Sequence, residues 1–467
     1  MKKENHIQQK MFQELSSKGI FDKVQSYGYS YLDKALERNV YPNDEALSNL
    51  TAFEHELQEE SIGAIDVIAQ LNDYGSPATV SQIGGRYFGF VNGSSVPTGM
   101  AAKQLATFWD QNSGMQVISP IASKLETVVQ GWLRKLFNLP ASTVAGFVSG
   151  TSSANLCGLA AARYRLLKRQ GWDINNQGLN NAPPLRIVTG KHAHSTILKA
   201  ISILGFGKDN IEWVDVDDQG RLVVDAIPEL DSKTILILQA GNVNSGAFDP
   251  LDAACTKAND ANAWVHVDGA FGLWAQAVDN LKHLTKGLEK ANSWAVDGHK
   301  TLNTPYDCGI ALCEDEDALV SALHMTGSYI IIGDERDGMF YTPEMSRRSR
   351  VIELWATIRY LGKSGINEMI YGFHERAAQF GREIVATEGF EVLNDVVMNQ
   401  VIVACATDEL TERVNLRIQE LRECWVGGAS WFGRKIIRVS ICSWATTEDD
   451  ITRSVKSFEN ALTECKK

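Results

Sequence analysis

The chain has 467 residues, of which 44% are hydrophobic and 22% are charged, a composition typical of a globular protein. This length exceeds what one hydrophobic core usually holds, so we expect two or three lobes. The net charge of −12 argues against a nucleic-acid-binding protein and against adhesion to anionic membranes, because both depend on basic surface.

Membrane insertion and disulfide bonding are also disfavoured. No uninterrupted apolar run reaches the roughly 18 residues that a membrane span needs. The first ten residues are polar and lack the apolar core of a signal peptide. The eight cysteines are scattered without a Cys-x-x-Cys pair, which is typical of reduced thiols. We therefore expect a cytoplasmic protein without a disulfide framework.

The first 80 residues are predicted to be mostly helical. Ile62, Ile65, Ile68 and Leu71 recur at helical spacing in a polar background, and a Gly-Ser-Pro sequence at 75–77 then ends the pattern. We assign residues 1–80 to an N-terminal helical segment.

From residue 144 onward, short β-branched runs alternate with helical stretches. This alternation predicts an α/β fold with a mostly parallel sheet, covered by helices on both faces. Open sheets of this kind bind ligands beyond the carboxyl ends of their strands, and several of these runs are followed by polar residues. The runs are 144–148, 185–189, 211–216, 234–239, 264–268, 294–297 and 309–313.

The alternation stops between 327 and 345, where glycine and charged residues predict a loop. A helix follows, with Leu354, Ile358 and Leu361 on one stripe, and short strands are predicted at 401–405 and 436–442. We therefore predict a large domain over 81–345 and a smaller C-terminal α+β domain over 346–467.

The segment 150–155 reads Gly-Thr-Ser-Ser-Ala-Asn and joins a predicted strand to a strong helix former. A glycine turn followed by hydroxyl groups and free N–H groups at a helix start is typical of a phosphate site. The alternative is a plain helix cap, in which serine and threonine are common without any ligand.

His192 and His194 follow the strand predicted at 185–189. A histidine in this position can stack on an aromatic cofactor ring, although most isolated histidines are surface or capping residues. Two histidines could also suggest a metal, but no third ligand is evident, so we expect no metal site.

Asp268 ends the apolar run 263–268, and Lys300 ends the sequence Ser-Trp-Ala-Val-Asp-Gly-His-Lys at 293–300. Their separation corresponds to about one strand–helix–strand unit, which puts them at neighbouring strand ends. Separately, each has an ordinary explanation as a turn residue or a solvated lysine. Together they suit pyridoxal phosphate, because the amine forms a Schiff base with its aldehyde and the carboxylate keeps its ring nitrogen protonated.

The residues around Lys300 strengthen this hypothesis. His299 precedes the lysine and a Thr-Pro-Tyr-Asp-Cys-Gly turn (304–309) follows it, so the lysine is held at a tight junction. Ser293 and His299 could add hydrogen bonds to a phosphate.

With these motifs in order, the chain resembles the group II pyridoxal-phosphate-dependent amino acid decarboxylases, which include the aromatic amino acid, histidine and glutamate decarboxylases. The resemblance covers roughly residues 50–460 and implies the aspartate-aminotransferase-like fold. The matching stretches are 86–90, 119–126, 150–163, 193–195, 246–250, 266–270, 293–309, 347–350 and 438–442.

The resemblance implies a role for each matching residue. Lys300 would bind the cofactor covalently, Asp268 would pair with its ring nitrogen and His194 would stack on the ring. Thr151 and Ser152 would bind the phosphate with help from His299, and Asn242 or Asn244 would also contact the cofactor. A loop tyrosine would protonate the α-carbon, with Tyr329 as the first choice and Tyr341 as the second.

The sequence departs from the family pattern at three places that bear on the substrate. Thr301 follows the lysine where a large apolar residue is common, and Ser153 stands where glutamate is common. The segment 242–245 reads Asn-Val-Asn-Ser where Gly-Thr-Thr is frequent.

The predicted activity is therefore decarboxylation of a small-molecule L-amino acid to its amine. An aminotransferase or a carbon–carbon lyase or aldolase on the same fold remains open, and Arg438 could hold a substrate carboxylate for transamination. A non-catalytic relative is the third alternative, which the joint presence of Lys300, Asp268 and His194 disfavours.

The family also implies a homodimer with active sites at the interface. Tyr87, Phe88, Phe90 and Trp109 could line an aromatic pocket, or they could serve core or dimer-interface packing.

Overall fold

The structure is a computed structural model that describes residues 6–324 and 335–467. Its strands are β1 (Val144–Val148), β2 (Arg186–Gly190), β3 (Ile211–Val214), β4 (Thr234–Gln239), β5 (Trp264–Asp268), β6 (Ser293–Asp297), β7 (Gly309–Cys313), β8 (Glu391–Val392), β9 (Gln400–Ala404), β10 (Gly427–Trp431) and β11 (Arg434–Ser440). Its α-helices are α1 (His6–Ser17), α2 (Gly19–Ala35), α3 (Asp44–Ser48), α4 (Ala64–Gln70), α5 (Pro97–Trp109), α6 (Pro120–Leu136), α7 (Thr151–Arg169), α8 (Ile174–Gln177), α9 (Ser195–Ile203), α10 (Leu251–Asp260), α11 (Glu316–Leu323), α12 (Val351–Val385), α13 (Asp408–Leu421) and α14 (Glu448–Cys465).

A seven-stranded sheet forms the centre of the molecule, with the strand order β1-β7-β6-β5-β4-β2-β3. The pairs among β6, β5, β4, β2 and β3 are parallel, and β7 runs antiparallel to both of its neighbours, β1 and β6. The predicted α/β fold with a mostly parallel sheet is therefore confirmed. The one antiparallel strand arises because only eleven residues (298–308) join β6 to β7, which suffices for a tight return but not for a helical crossover.

Both faces of this sheet are covered, which explains why its strands read as continuous apolar runs rather than alternating ones. In β4, Ile235 and Ile237 pack into the core on one face, and Leu236 and Leu238 pack into the core on the other. The helix α7 packs against β5, β6 and β7. The first residue of the helix, Thr151, lies beside the carboxyl end of β6, where its backbone N–H donates to Asp297.

A second sheet, antiparallel with the order β10-β11-β9-β8, lies in the C-terminal part. The long helix α12 connects the two sheets in sequence, and Gly362 interrupts it with a backbone φ of 59°. The strands predicted at 401–405 and 436–442 correspond to β9 and β11, each displaced by one or two residues. The proposed boundaries near residues 80 and 345 stay predictions.

The N-terminal helices pack loosely on the described chain. None of the residues of α1 is buried, and Met11, Phe12 and Leu15 are each more than half exposed. The apolar residues near 62–71 behave in the same way, since Ile65 and Leu71 are exposed although α4 forms. None of the described helices combines the length and apolarity required to cross a bilayer.

Arg86 forms a buried ion pair with the C-terminal helix α14 and donates to carbonyl groups at 36–38 in the N-terminal segment. Its guanidinium donates to Asp450 Oδ1 at 2.9 Å and to the carbonyl of Glu423 at 2.9 Å, and the side chain is 2% exposed. We expect Arg86→Ala to lower the free energy of unfolding by about 3 kcal/mol, because it leaves a carboxylate and carbonyl groups without their buried donor. The shift in the urea unfolding midpoint measures this loss.

The matched control is Arg417→Ala, which removes an exposed ion pair with Glu464 from α13. Exposed pairs contribute about 0–1 kcal/mol, so this variant should unfold close to the wild type. Equal losses in the two variants would contradict the importance of the Arg86 contact.

Candidate active site

A cleft of about 190 Å³ lies at the carboxyl ends of β5 and β6, beside the start of α7. Six of the residues proposed from the sequence line it, namely Thr151, Ser152, His194, Asp268, His299 and Lys300. The lining consists of Gly150, Thr151, Ser152, His194, Thr196, Gln239, Gly241, Val243, Asp268, Ala270, Phe271, Asp297, His299 and Lys300.

Asp268 is the last residue of β5 and is 4% exposed. Its Oδ2 accepts a hydrogen bond from Asn155 Nδ2 at 3.2 Å, and its Oδ1 accepts one from the backbone N–H of Ala270 at 3.2 Å. Burial raises the pKa of this carboxyl group, although the charges of His194 and Lys300 act in the opposite direction. A buried acid with a perturbed pKa in a cleft is typical of a functional site.

Lys300 lies three residues beyond β6, and its side chain is 19% exposed. Its Nζ is 3.2 Å from Asp297 Oδ2, and Asp297 Oδ1 accepts a hydrogen bond from the Thr151 backbone N–H at 2.7 Å. The Asp297 carboxylate therefore connects the lysine amine to the first turn of α7. An acid in this position is favourable because helix N-termini attract negative charge.

Asp297 was not among the residues predicted from the sequence, although a signal was present. The sequence Val-Asp-Gly occurs at 267–269 and again at 296–298, each time at the end of a buried strand. Since β5 and β6 are parallel neighbours, the two aspartates are brought to the same edge of the sheet.

The backbone of Lys300 is held by residues from three parts of the chain. Asn303 Nδ2 donates to the carbonyl of Lys300 at 2.9 Å and to the carbonyl of Cys442 at 2.9 Å. Gly93 contacts the same peptide so closely that a β-carbon there would lie 2.0 Å from the Lys300 carbonyl oxygen. The Thr301 hydroxyl donates to the carbonyl of Phe271 at 2.8 Å. These contacts fix the position of the amine relative to β5.

The start of α7 has the features of a phosphate site. Thr151 is buried, and its Oγ1 has no hydrogen-bond partner within residues 6–324 and 335–467. His299 faces the same space; its Nδ1 accepts from the backbone N–H of Cys308 at 3.0 Å, which leaves Nε2 to carry the proton. Burial lowers the pKa of His299, so the imidazole is a neutral donor.

His194 precedes α9 and caps it. Its Nδ1 lies 2.8 Å from Thr196 Oγ1 and accepts from the Thr196 backbone N–H at 3.3 Å. Burial lowers the pKa of His194, with the charge of Asp268 opposing this shift. The ring is therefore a neutral plane on the wall of the cleft, held by the helix that it caps.

Two residues proposed to contact the cofactor lie outside this lining. The Ser293 hydroxyl, at the start of β6, accepts from Trp264 Nε1 at 3.0 Å and contacts His266 Nδ1 at 2.8 Å. The Asn242 side chain caps its own turn by accepting from the backbone N–H of Asn244 at 2.9 Å. Both side chains therefore support the site through buried hydrogen bonds and do not line the cleft.

The two tyrosines considered for proton transfer are placed differently. Tyr329 lies outside the described residues, so its role stays a prediction. Tyr341 donates from its hydroxyl to Glu316 Oε1 at 2.6 Å, and its ring lies 3.7 Å from the Arg336 guanidinium. This tyrosine is thereby engaged away from the cleft lining.

The aromatic residues near 87–109 serve packing rather than the cleft. Tyr87 and Phe88 are buried, and the rings of Tyr87 and Phe90 stack on Trp425 with centroid distances of 5.1 Å and 5.3 Å. Trp109 is 41% exposed. Core packing fits Tyr87 and Phe88, and an interface role for the exposed Phe90 and Trp109 stays a prediction.

The cleft residues fit pyridoxal phosphate. The unpartnered Thr151 hydroxyl, the helix start and the neutral His299 donor would hold its phosphate. Asp268 would face the ring nitrogen, His194 would cover the ring and Lys300 would reach the aldehyde. No other group in the described cleft lining supplies a second amine.

Comparisons with known proteins agree with this fit. The model of the pyridoxal-dependent decarboxylase conserved domain matches residues 83–405, which is more than half of the chain. Among curated proteins, 4-hydroxyphenylacetaldehyde synthase of Rhodiola rosea is 29% identical over 304 residues, covering 60% of this chain and 61% of that protein. Tyrosine decarboxylase 2 of Narcissus pseudonarcissus is 24% identical over 432 residues, covering 85% and 84%. The matched region spans 61% and 63% of the lengths of the two aldehyde synthases, from Rhodiola rosea and Petunia hybrida.

Solved structures share the fold over nearly the whole chain. A structure of Oryza sativa TDC with PLP and tryptamine has a TM-score of 0.87 at 21% identity, covering 97% of this chain and 98% of that one. The structure of mouse CSAD also gives 0.87, at 20% identity and with 96% and 98% coverage. The protein belongs to the pyridoxal-dependent decarboxylase family, and its cofactor is pyridoxal phosphate.

Proposed function

We propose that the protein decarboxylates an L-amino acid to the corresponding amine and carbon dioxide. The observation that carries this proposal is the shared cleft of Lys300 and Asp268, with the amine 3.2 Å from its counter-ion Asp297 and the acid buried at the next strand end. The family match supports the same reaction class.

Bound pyridoxal phosphate supplies an electron sink that stabilises the carbanion left by the departing carboxylate. Asp268 would keep the ring nitrogen protonated, because a negative charge beside that atom favours its protonated form. Asp297 holds the Lys300 Nζ at 3.2 Å and so fixes the position of the amine in the cleft. His194 would cover one face of the ring and exclude water from it.

The first turn of α7 would orient the cofactor by its phosphate, through Thr151, Ser152 and His299 Nε2. Arg438 is the group suited to the substrate carboxylate. It is half-buried, and its Nη1 contacts Asn244 Oδ1 at a long 3.4 Å. Its positive charge also acts on His194, so it lies near the cleft.

Two other outcomes have specific support. Arg438 would suit an aminotransferase, which holds the substrate carboxylate in the ring plane instead of perpendicular to it. Two of the curated relatives are phenylacetaldehyde-type synthases, which supports an aldehyde as the product. Tyr329 remains our proposal for the residue that protonates the α-carbon in a decarboxylase.

A panel of aromatic, acidic and basic L-amino acids separates these possibilities. The purified protein with pyridoxal phosphate is incubated with each, and carbon dioxide, amine, aldehyde and keto acid are measured together. We expect carbon dioxide and amine in equal amounts from one substrate class. Carbon dioxide with aldehyde would indicate a synthase, and keto acid without carbon dioxide would refute decarboxylation.

His194→Ala should mainly weaken cofactor binding. Loss of the ring removes stacking worth about 1 kcal/mol and a cap on α9, so we expect the dissociation constant of pyridoxal phosphate to rise roughly tenfold. Equilibrium dialysis measures it, and Ser195→Ala, which changes an exposed neighbour, is the control. Unchanged affinity in His194→Ala would contradict the stacking role.

We also propose a cytoplasmic homodimer with its active sites at the interface. All eight cysteines are free, and seven are buried, which suits a reducing compartment. The exposed apolar residues of α1 and α5, such as Phe12, Leu105 and Phe108, support a second copy as their cover. Light scattering should give twice the chain mass, and a monomer at micromolar concentration would refute the dimer.

A further inference from the structure

Behind Asp268, a row of buried polar side chains runs from β6 through β5 to α7. Trp264 Nε1 lies 3.0 Å from Ser293 Oγ, which lies 2.8 Å from His266 Nδ1. His266 Nε2 lies 2.9 Å from Asn155 Oδ1, and Asn155 Nδ2 lies 3.2 Å from Asp268 Oδ2. Ser293, His266 and Asn155 are all 0% exposed.

The direction of every hydrogen bond in this row follows from its two ends. The indole of Trp264 can only donate, and an ionised Asp268 can only accept. Complete burial lowers the pKa of His266 to about 3, so the imidazole is neutral and carries one proton. That proton belongs on Nε2, because its partner Asn155 Oδ1 can only accept. Nδ1 is then an acceptor for the Ser293 hydroxyl, whose oxygen accepts from Trp264. All donors therefore point toward Asp268.

The absence of a side chain at Gly158 leaves room for His266 and Ser293. It lies in the middle of α7, where glycine costs about 1 kcal/mol relative to alanine. A β-carbon at this position would lie 2.6 Å from His266 Cε1, 2.7 Å from His266 Nδ1 and 3.2 Å from Ser293 Oγ. The glycine allows the helix to approach the imidazole closely enough for Asn155 to bridge it to Asp268.

We propose that Ser293, His266 and Asn155 are positioning residues that direct a chain of donors onto Asp268 and keep it ionised and aimed at the cofactor ring nitrogen. This inference rests on the proposed function, because Asp268 needs such support only if it faces a protonated ring. Aligned hydrogen bonds polarise one another, so the donor at the end of the row is stronger than an isolated amide.

The charged surroundings of Asp268 come from other elements and do not change when this row is altered. His194 faces it from the turn before α9 and Lys300 from beyond the end of β6. Asp297 and Arg438 act on His194 in turn. Asn155 and the backbone N–H of Ala270 are the neutral donors to the carboxylate. Removing Asn155 therefore disfavours the ionised form while the neighbouring charges stay in place.

The first test uses the apoprotein with ¹⁵N-labelled histidine. We expect one imidazole that stays in the neutral Nε2–H form between pH 8 and pH 5 and that disappears in His266→Gln. A His266 that is protonated at pH 7, or that carries its proton on Nδ1, would overturn the donor direction. This result is independent of any catalytic activity.

The second test compares Asn155→Ala and Ser293→Ala with Thr189→Val, loaded with pyridoxal phosphate. Thr189→Val is the matched control, because it removes a buried hydroxyl on β2 that donates to Ile237 outside the row. We expect kcat to fall about tenfold in Asn155→Ala and about threefold in Ser293→Ala, with little change in KM.

The acid limb of the pH profile, and the pH dependence of the cofactor's absorbance, should move to higher pH in the same order. Thr189→Val should lose as much stability as Asn155→Ala and Ser293→Ala without moving the acid limb or the absorbance transition. The proposal is overturned if the limb stays in place in Asn155→Ala, or if Thr189→Val moves it equally. A wild type that binds no cofactor and releases no carbon dioxide would instead refute the proposed function, while the histidine measurement would still decide the donor direction.

Discussion

Lys300→Arg should leave the protein folded but without covalently bound cofactor and almost without activity. Arginine keeps the positive charge that pairs with Asp297, yet its guanidinium does not lose a proton at neutral pH and forms no Schiff base. We expect turnover to fall roughly 10⁴-fold or more, as for the loss of other covalent catalysts. Steady-state amine production and the absorbance of the bound cofactor measure the effect.

The control for this variant is Lys191→Ala. Lys191 also follows a strand end, that of β2, but it is exposed and pairs with Asp215 on the surface. It should retain wild-type turnover. Substantial activity in Lys300→Arg, or an equal loss in Lys191→Ala, would contradict the assignment of the covalent residue.

Asp268→Asn should separate activity from stability. The amide keeps the size of the side chain but cannot hold the ring nitrogen protonated, so we expect turnover to fall roughly 10³-fold, an effect typical of lost electrostatic stabilisation. Cofactor should still bind, although more weakly. Near-normal turnover in this variant would refute the role of Asp268 as the partner of the ring nitrogen.

The stability of the same variant relative to the wild type should depend on pH. Burial raises the pKa of Asp268, so the folded apoprotein binds this proton more tightly than the unfolded chain does. The contribution of this group to stability is therefore fully present at low pH and is lost as the pH rises through the folded pKa. Asparagine removes that loss, so the melting temperature of the variant apoprotein relative to the wild type should rise as the pH increases from the ordinary aspartate range to the folded pKa, and the difference should stay constant above it.

The large sheet was predictable because its strands are buried on both faces. Runs such as 234–239 and 264–268 are mostly apolar and buried at every position, and they coincide with the observed strands β4 and β5. The position of Asp268 and Lys300 at one edge followed from the parallel order of these strands. The helices before residue 80 were predicted from periodicity alone, which does not reveal that many of their apolar side chains, such as Phe12 and Leu15, stay exposed.

The support around the site could not be read from the sequence in the same way. Asn155, Asn303 and His266 are polar residues whose partners lie on other elements, as in the 113-residue separation of Asn155 and Asp268. Only the packing of α7 on the sheet brings such groups together.

The proposed phosphate contact of Ser293 was inferred from motif spacing, which does not show where the side chain lies. It belongs to the Ser-x6-Lys motif that pointed to the site, yet β6 extends from Ser293 to Asp297, about 13 Å at 3.3 Å per residue. The serine therefore lies at the far end of the strand from the lysine amine, and its hydroxyl bonds Trp264 and His266.

The most direct test of the account is to locate the lysine that carries the cofactor. The protein is loaded with pyridoxal phosphate, reduced with borohydride, digested and analysed by mass spectrometry. We predict one cofactor per chain, on the peptide that contains Lys300. An unlabelled Lys300 peptide, or label spread over exposed lysines such as Lys191, would contradict the central claim.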